Sequence, residues 1–220
     1  MQTPPRNAGI SPLAWLSLRA LLIGGEPGEA PLEEVARAAV LGEVEGLASQ
    51  ADPRLAPWLE APCARRAEEA VVLFFAEARV TEALEAAGID RWLALKGSAS
   101  ARLLYDDPTL RPRRDVDILI DGRDMTAFEA AAKAAGWADV THATHFAQAG
   151  DGPYEREYLL DIGGTRVGCD VHRRLLRWRE FQVDVPALLS RARVLDSGWR
   201  VCAPEDLLLH TAMHAANVAF

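Results

Sequence analysis

The chain has 220 residues, half of them hydrophobic and a quarter charged, and a formal net charge of −8. It is long enough for one catalytic core and a helical attachment. The negative charge disfavours a protein that coats nucleic acid, because such binding depends on neutralising phosphates with lysine and arginine. Three widely spaced cysteines predict neither a disulfide framework nor a Cys-x-x-Cys metal site.

The sequence also lacks the pattern of a targeting or membrane segment. No charged and then apolar signal pattern opens the chain, and the apolar segment 13–23 is too short and too interrupted to cross a bilayer. We therefore expect a cytoplasmic protein with no membrane partner. The last predicted helix reaches Phe220 without a stop signal, as expected of a truncated chain or of a helix that simply ends there.

Helical patterns fill the predicted N-terminal region, residues 1–88. Ser11 is a plausible N-cap, followed by a proline at the first helical position and a leucine-rich segment. A second helix, with acidic residues in its first turn, is predicted over about residues 31–48. An alanine-rich third helix is predicted over residues 64–87 and closes at Gly88.

Strand and helix patterns alternate in the predicted central domain, residues 89–182. The predicted strands are 91–95, 115–120, 154–160 and 165–171. The predicted helices are 98–105, 125–135 and 175–181. The last two strands are joined by Asp161-Ile162-Gly163-Gly164, which is a hairpin signal. The C-terminal region, residues 183–220, is predicted to be helical over 185–192 and 205–218.

Two aspartates, Asp115 and Asp117, alternate along the second predicted strand, so that both project from one face. Such carboxylates suit Mg²⁺, which takes one or two of them and completes its shell with water and phosphate oxygens. Upstream, Gly97-Ser98 ends the first strand, where a small residue allows a phosphate to approach the backbone. The pattern predicts a metal-dependent phosphate site. A hydrated pair of aspartates at a strand edge is the alternative.

These segments resemble a known superfamily when they are taken together. Leu95-Lys96-Gly97-Ser98-Ala99 followed by Asp115-Val116-Asp117 is similar to the nucleotidyltransferases built on the DNA polymerase β core. With Arg111-Pro112 and Cys169-Asp170-Val171-His172, the chain more narrowly resembles a bacterial branch described as uncharacterised nucleotidyltransferases. The resemblance implies an α/β fold of the α+β type. Residues 89–182 would form the catalytic core, with a mixed β-sheet flanked by N-terminal and C-terminal helices.

The resemblance also implies roles for three carboxylates. Asp115, Asp117 and Asp170 would be the catalytic residues and would hold Mg²⁺, with Mn²⁺ as the alternative ion. Asp170 would complete the metal site from a neighbouring strand and act as base for the attacking hydroxyl. Asp161 is its rival, although hairpin turn chemistry explains that residue better. His172 would orient substrate, or would be a hydrogen-bonded residue at a strand end.

The phosphates of the nucleotide would be bound by Gly97, Ser98, Arg111 and Lys96. If Ser98 opens the helix, its hydroxyl and the free N–H groups of the first turn form an anion site. The side chain of Lys96 could point toward the site or away from it. The neighbouring residues Arg113 and Arg114 could neutralise pyrophosphate, balance the acidic cluster or lie in a solvated loop. A further basic group consists of Arg173, Arg174, Arg177 and Arg179.

The expected activity is transfer of a nucleoside monophosphate from a nucleoside triphosphate to an acceptor hydroxyl, with release of pyrophosphate. The acceptor stays open between a small molecule, a protein and RNA, so nucleic acid is expected only as an acceptor. The first alternative is a catalytically inactive nucleotide-binding or regulatory module with the same fold. The second is a helical interaction protein whose function lies in residues 1–85.

Two histidine pairs offer a separate metal hypothesis. His210 and His214 lie four positions apart on a predicted helix, a spacing that can hold zinc. His142 and His145 offer a weaker version of the same pattern. The sequence gives neither pair an evident third ligand, and ordinary histidines are the alternative.

Overall fold

The computed structural model describes residues 9–26, 28–142, 153–176 and 183–219. These residues group into two compact units. Unit 1 comprises Met1–Ala70 and Asp107–Pro112, and unit 2 comprises Val71–Asp106 and Arg113–Phe220. The division into a helical region, a catalytic core and a C-terminal region stays a prediction. Of the helices that the structure describes, none combines the length and the hydropathy needed to span a bilayer.

Unit 1 is built from helices. They are α1 (Pro12–Leu22), α2 (Leu32–Leu41), α3 (Glu45–Ala51) and the N-terminal part of α4 (Ala56–Ala86). Ser11 caps α1, since its hydroxyl accepts the N–H of Ala14. The prediction of a single helix over residues 31–48 was wrong. The helix ends at Leu41 with Gly42 as its C-cap, and α3 follows as a separate helix, because Glu43 adopts a left-handed φ of 54°. That conformation cannot continue a right-handed helix.

Unit 2 contains a seven-stranded mixed sheet and the remaining helices. The strands are β1 (Trp92–Ala94), β2 (Asp115–Ile120), β3 (Ala138–Asp139), β4 (Glu155–Ile162), β5 (Thr165–His172), β6 (Arg193–Val194) and β7 (Arg200–Val201). Their order is β3-β4-β5-β2-β1-β7-β6. The helices are the rest of α4 together with α5 (Lys96–Leu104), α6 (Met125–Ala134), α7 (Val185–Ser190) and α8 (Pro204–Ala219).

The mixed α/β class is confirmed, and the four predicted strands are all present. The sequence missed β3, β6 and β7, because strands of two residues are too short to show alternation. The predicted helix 175–181 falls mostly on residues 177–182, which lie outside the described part of the chain.

The centre of unit 2 explains why β2 is stable enough to hold two acidic residues. Residues 118–120 of this strand are completely buried, so a continuous apolar segment anchors the strand in the middle of the sheet. β2 pairs with β1 antiparallel and with β5 parallel. Edge-to-face aromatic contacts support the sheet, with ring centroids 5.7 Å apart for Phe128 and Tyr158.

A buried ionic cluster lies beside the turn between β1 and α5. The carboxylate of Glu77 accepts hydrogen bonds of 3.0 and 2.6 Å from Arg102, and it also pairs with Arg113. Arg102 donates to the carbonyl of Ser98 as well, at 3.0 Å. A Cβ on Gly97 would lie 3.1 Å from Cγ of Arg113, so the packed arginine stem favours glycine at that position. The cluster therefore fixes the start of α5.

We expect Glu77→Ala to lower the free energy of unfolding by about 3–5 kcal/mol, because it leaves two buried guanidinium groups without their carboxylate. The measurement is urea denaturation. Glu82→Ala on the same helix is the matched control, since its pair with Arg79 is exposed and is worth less than about 1 kcal/mol. Equal effects of the two substitutions would contradict a special role for the cluster.

Candidate functional site

The register of two parallel strands brings the acidic residues together. Asp117 on β2 is paired with Asp170 on β5, and Asp115 is paired with Gly168. Directly paired residues of neighbouring strands project from the same face, with Cβ atoms close together. Asp115 shares this face because it lies two positions before Asp117. The three carboxylates proposed from the sequence therefore lie on one face of the sheet.

Asp117 is the most enclosed of the three, with 2% of its surface exposed. Its Oδ1 atom lies 2.6 Å from Nζ of Lys96 and 3.2 Å from Nε2 of His172. Burial raises the pKa of Asp117, but the hydrogen bond and charge of His172 and then those of Lys96 outweigh burial and place this pKa below its usual value. Asp117 is thus a buried carboxylate that stays ionised.

The other two carboxylates behave in the opposite way. Burial, followed by repulsion from Asp117, raises the pKa of Asp170 to about 7. The same two causes raise the pKa of Asp115 above its usual range. Further positive charge at this position would relieve both effects. Among the residues that the structure describes, this face of the sheet therefore has too little positive charge for its carboxylates.

A bound divalent ion would supply the missing positive charge. One ligand atom from each of Asp117, Asp170 and His172 lies within 4.8 Å of the others, which is close enough for a shared metal ion. Asp115 lies outside this group of three, although it projects from the same face. The carboxylate oxygens suit Mg²⁺, whereas the imidazole suits transition metals better.

His172 is held between two carboxylates. Its Nε2 faces Asp117, and its Nδ1 lies 3.2 Å from Oε2 of Glu155. The other oxygen of Glu155, Oε1, accepts a hydrogen bond from the hydroxyl of Tyr154. Glu155 pairs with His172 across the β4–β5 hairpin. Sequence reasoning missed Glu155, although counting outward from the Gly163-Gly164 turn would have placed it opposite His172. Nε2 is hydrogen-bonded to Asp117, whereas the contact of Nδ1 with Glu155 lacks hydrogen-bond geometry, so Asp117 orients the ring.

The structure corrects the expected start of α5. The helix begins at Lys96 with Leu95 as its N-cap, so Ser98 does not open it. Ser98 is fully buried, and its hydroxyl accepts the N–H of Asp117 at 3.3 Å. The backbone N–H of Leu95 also donates to the carbonyl of Asp117, at 2.9 Å. Ser98 therefore ties the helix to β2, while the N–H groups of the first turn still point away from the helix.

The predicted basic residues have different surroundings. Lys96 points toward the acidic residues, which settles the orientation that the sequence left open. Arg113 is buried against Glu77, so it neither lies in a solvated loop nor pairs with the aspartates of the site, and its guanidinium is not free to meet a phosphate. Arg111 belongs to unit 1 and donates to the carbonyl of Pro112 at 2.8 Å. Arg177 and Arg179 lie outside the described residues.

Two other sequence hypotheses can be placed. Asp161 accepts the N–H of Gly164 at 2.8 Å, which confirms its role in the hairpin turn. The rings of His210 and His214 have centroids 6.3 Å apart, but neither residue belongs to a group of three ligands in the described part of the chain. Burial, reinforced by His172, lowers the pKa of His210 to about 4. His145 lies outside the described residues.

Comparison with known proteins gave one match. A family model described as "Uncharacterised nucleotidyltransferase" matches residues 6–220. Neither the comparison with curated proteins nor the comparison with solved structures found a match. The matched range covers all of unit 2 and all but the first five residues of unit 1, and it includes every candidate site residue named above.

We expect metal-free Asp170→Asn to be more stable than the wild type at pH 8. The wild-type folded state keeps this proton up to about pH 7, whereas an unfolded aspartate releases it near its usual pKa of 3.8. Wild-type stability therefore falls as the pH rises through this window, and asparagine removes the fall. We expect a gain on the order of 2 kcal/mol at pH 8.

The measurement is urea denaturation in the presence of a chelator at pH 4.5 and pH 8. The difference between the two proteins should shrink at the lower pH, where the folded wild type also carries the proton. An Asp170→Asn protein that is less stable than the wild type at pH 8 would contradict the charge shortage.

Proposed function

The chain belongs to the family of uncharacterised nucleotidyltransferases, and from this premise we propose that it transfers a nucleoside monophosphate from a nucleoside triphosphate to an acceptor hydroxyl. Pyrophosphate is the second product. The observation that carries the proposal is the pairing of Asp117 with Asp170 on neighbouring parallel strands, beside the N-terminus of α5. This arrangement puts a cation-deficient acidic face next to backbone donors.

The divalent ion is Mg²⁺ in this proposal, with Mn²⁺ as the alternative. Asp117 and Asp170 would hold it, and Asp115 would contribute from the same face. The raised pKa values of Asp170 and Asp115 support this assignment, because burial and mutual repulsion make the site favourable for a cation. When bound, the ion would offset the charge of the phosphates and favour ionisation of the acceptor hydroxyl.

Asp170 is the proposed proton acceptor. The acceptor oxygen attacks the α-phosphorus, the bond from that phosphorus to the bridging oxygen breaks, and the electron pair leaves with pyrophosphate. The proton of the hydroxyl passes to Asp170. The pairing of Asp170 with Asp117 on neighbouring strands would put this carboxylate beside a hydroxyl held at the metal ion.

The triphosphate would lie against the start of α5. The N–H groups of its first turn and the positive end of the helix dipole favour anions. Contact of Gly97 with the phosphates stays a prediction, because the side where its Cβ would lie faces the stem of Arg113. Lys96, whose side chain is partly exposed, would supply a positive charge. Ser98 would act by holding α5 against β2, because its hydroxyl is already bonded to the backbone of Asp117. Contact of Arg111 with the nucleotide and a cytoplasmic location stay predictions.

One observation favours the alternative of an inactive nucleotide-binding or regulatory module. The Oδ1 atom of Asp117 is already bonded to Lys96 and faces His172. If both partners stay in place, this oxygen is closed to a metal ion. The two candidate functions therefore differ in whether the contact with Lys96 can open.

We expect Asp117→Asn to reduce pyrophosphate release by at least about a hundredfold, since even outer partners of metal ligands cost 10–100-fold. The assay supplies ATP, CTP, GTP and UTP with Mg²⁺, with and without pools of cell metabolites, proteins and RNA as acceptors. Asp161→Asn is the control, because that residue lies at the hairpin turn.

The same assay separates the two candidates. Release that depends on Asp117 but not on Asp161 supports transfer, and the active pool identifies the class of acceptor. Nucleotide binding without release in any pool would favour the inactive module. Absence of both binding and release would exclude a nucleotide function for the chain.

A further inference from the structure

Lys96 combines two unusual features. Its φ of 42° lies in the left-handed region that residues with a side chain seldom adopt. It is also one of two lysines in a chain whose other basic residues are arginines. Backbone strain of this kind persists only where the surrounding structure enforces it, and it is concentrated at functional positions.

The strained backbone aims the ammonium group at a carboxylate that the proposed metal needs. Nζ lies 2.6 Å from Oδ1 of Asp117, and 23% of the lysine side chain is exposed. An ammonium group and a divalent ion repel each other strongly at such separations in a partly buried site. A metal ion on this oxygen therefore requires the ammonium group to leave.

The neighbouring histidine cannot give way as easily. His172 is 2% exposed, and its ring lies between Asp117 and Glu155. Lysine instead carries a compact charge on a flexible four-carbon stem. Because Lys96 is the first residue of α5, a small movement of its side chain would carry Nζ to an anion bound at that helix end.

We propose that Lys96 is a displaceable counter-ion that couples the binding of metal to the binding of nucleotide. Nζ neutralises Asp117 until a nucleoside triphosphate arrives, and it then moves to the phosphates and leaves Asp117 to the divalent ion. The inference rests on the proposed function, which it deepens. Metal alone then binds weakly, because it must displace an ion pair without offering the lysine a new partner.

The test measures Mn²⁺ affinity from the electron paramagnetic resonance signal of the free ion. Wild type, Lys96→Met and Lys133→Met are compared with and without a triphosphate analogue whose α,β-bridge is methylene. Lys133 is the matched control, because it is the only other lysine and is exposed on α6. No step of the reaction is needed for this measurement.

Without nucleotide, we expect Lys96→Met to bind Mn²⁺ at least about tenfold more tightly than the wild type, which corresponds to about 1.4 kcal/mol. The analogue should tighten Mn²⁺ binding strongly in the wild type and in Lys133→Met, and much less in Lys96→Met. Coupling between two ligands is reciprocal. Within each protein, Mn²⁺ should therefore raise the affinity for the analogue by the factor by which the analogue raises the affinity for Mn²⁺.

Unchanged or weaker nucleotide-free Mn²⁺ binding in Lys96→Met would overturn the proposal. Lys96→Gln is a second, polar variant for the case that the methionine variant misfolds, and it should show the same increase in Mn²⁺ affinity. Circular dichroism verifies the fold of both variants. If Mn²⁺ binds to none of the proteins under either condition, the inference and the metal site of the proposed function both fail. If the affinities shift as expected but the wild type releases no pyrophosphate, the counter-ion stands and only the transfer reaction fails.

Discussion

The structure of the site depends on one constraint, which is that β2 and β5 run parallel with Asp117 opposite Asp170. This register forces two carboxylates together on a buried strand, and ionising both is costly. Lys96 and His172 contact one of them, Asp117, and hold its pKa below the usual value, whereas the other, Asp170, is left with a pKa of about 7. The deeply buried apolar end of β2 keeps the strand from moving away from this repulsion.

A second buried ionic group shows by contrast what a purely structural solution looks like. Glu77 has two arginine partners for one carboxylate, so its negative charge is more than balanced inside the protein. The acidic face beside β5 has the opposite imbalance. A fold gains nothing in stability from such a deficit, because uncompensated buried charge is destabilising. The contrast is the physical reason for treating one cluster as a scaffold and the other as a binding site.

The sequence predicts the elements whose patterns are long and local. The apolar segment of β2 with its alternating aspartates, and the hairpin signal before β5, led to the correct strands, whereas Asp170 was proposed from the resemblance of Cys169-Asp170-Val171-His172 to the family. Tertiary contacts decided the rest. The burial of Arg113 depends on its ion pair with Glu77, which is distant in the sequence, so no local pattern predicts it. The direction of Lys96 depends on a single left-handed φ that no pattern of residue types reveals.

The position of Lys96 also bears on why the sequence alone leaves an enzyme and an inactive module open. Both would carry the same aspartates on the same strands, because the aspartates determine only where a cation can bind. In the cycle that we propose, Asp117 also exchanges its contact with Lys96 for one with the divalent ion. An ion pair with a flexible and partly exposed lysine can open for this exchange. A fully buried pair such as Glu77 with Arg113 cannot open without leaving an unpaired charge inside the protein. The choice of lysine at this position is therefore an argument for an active enzyme.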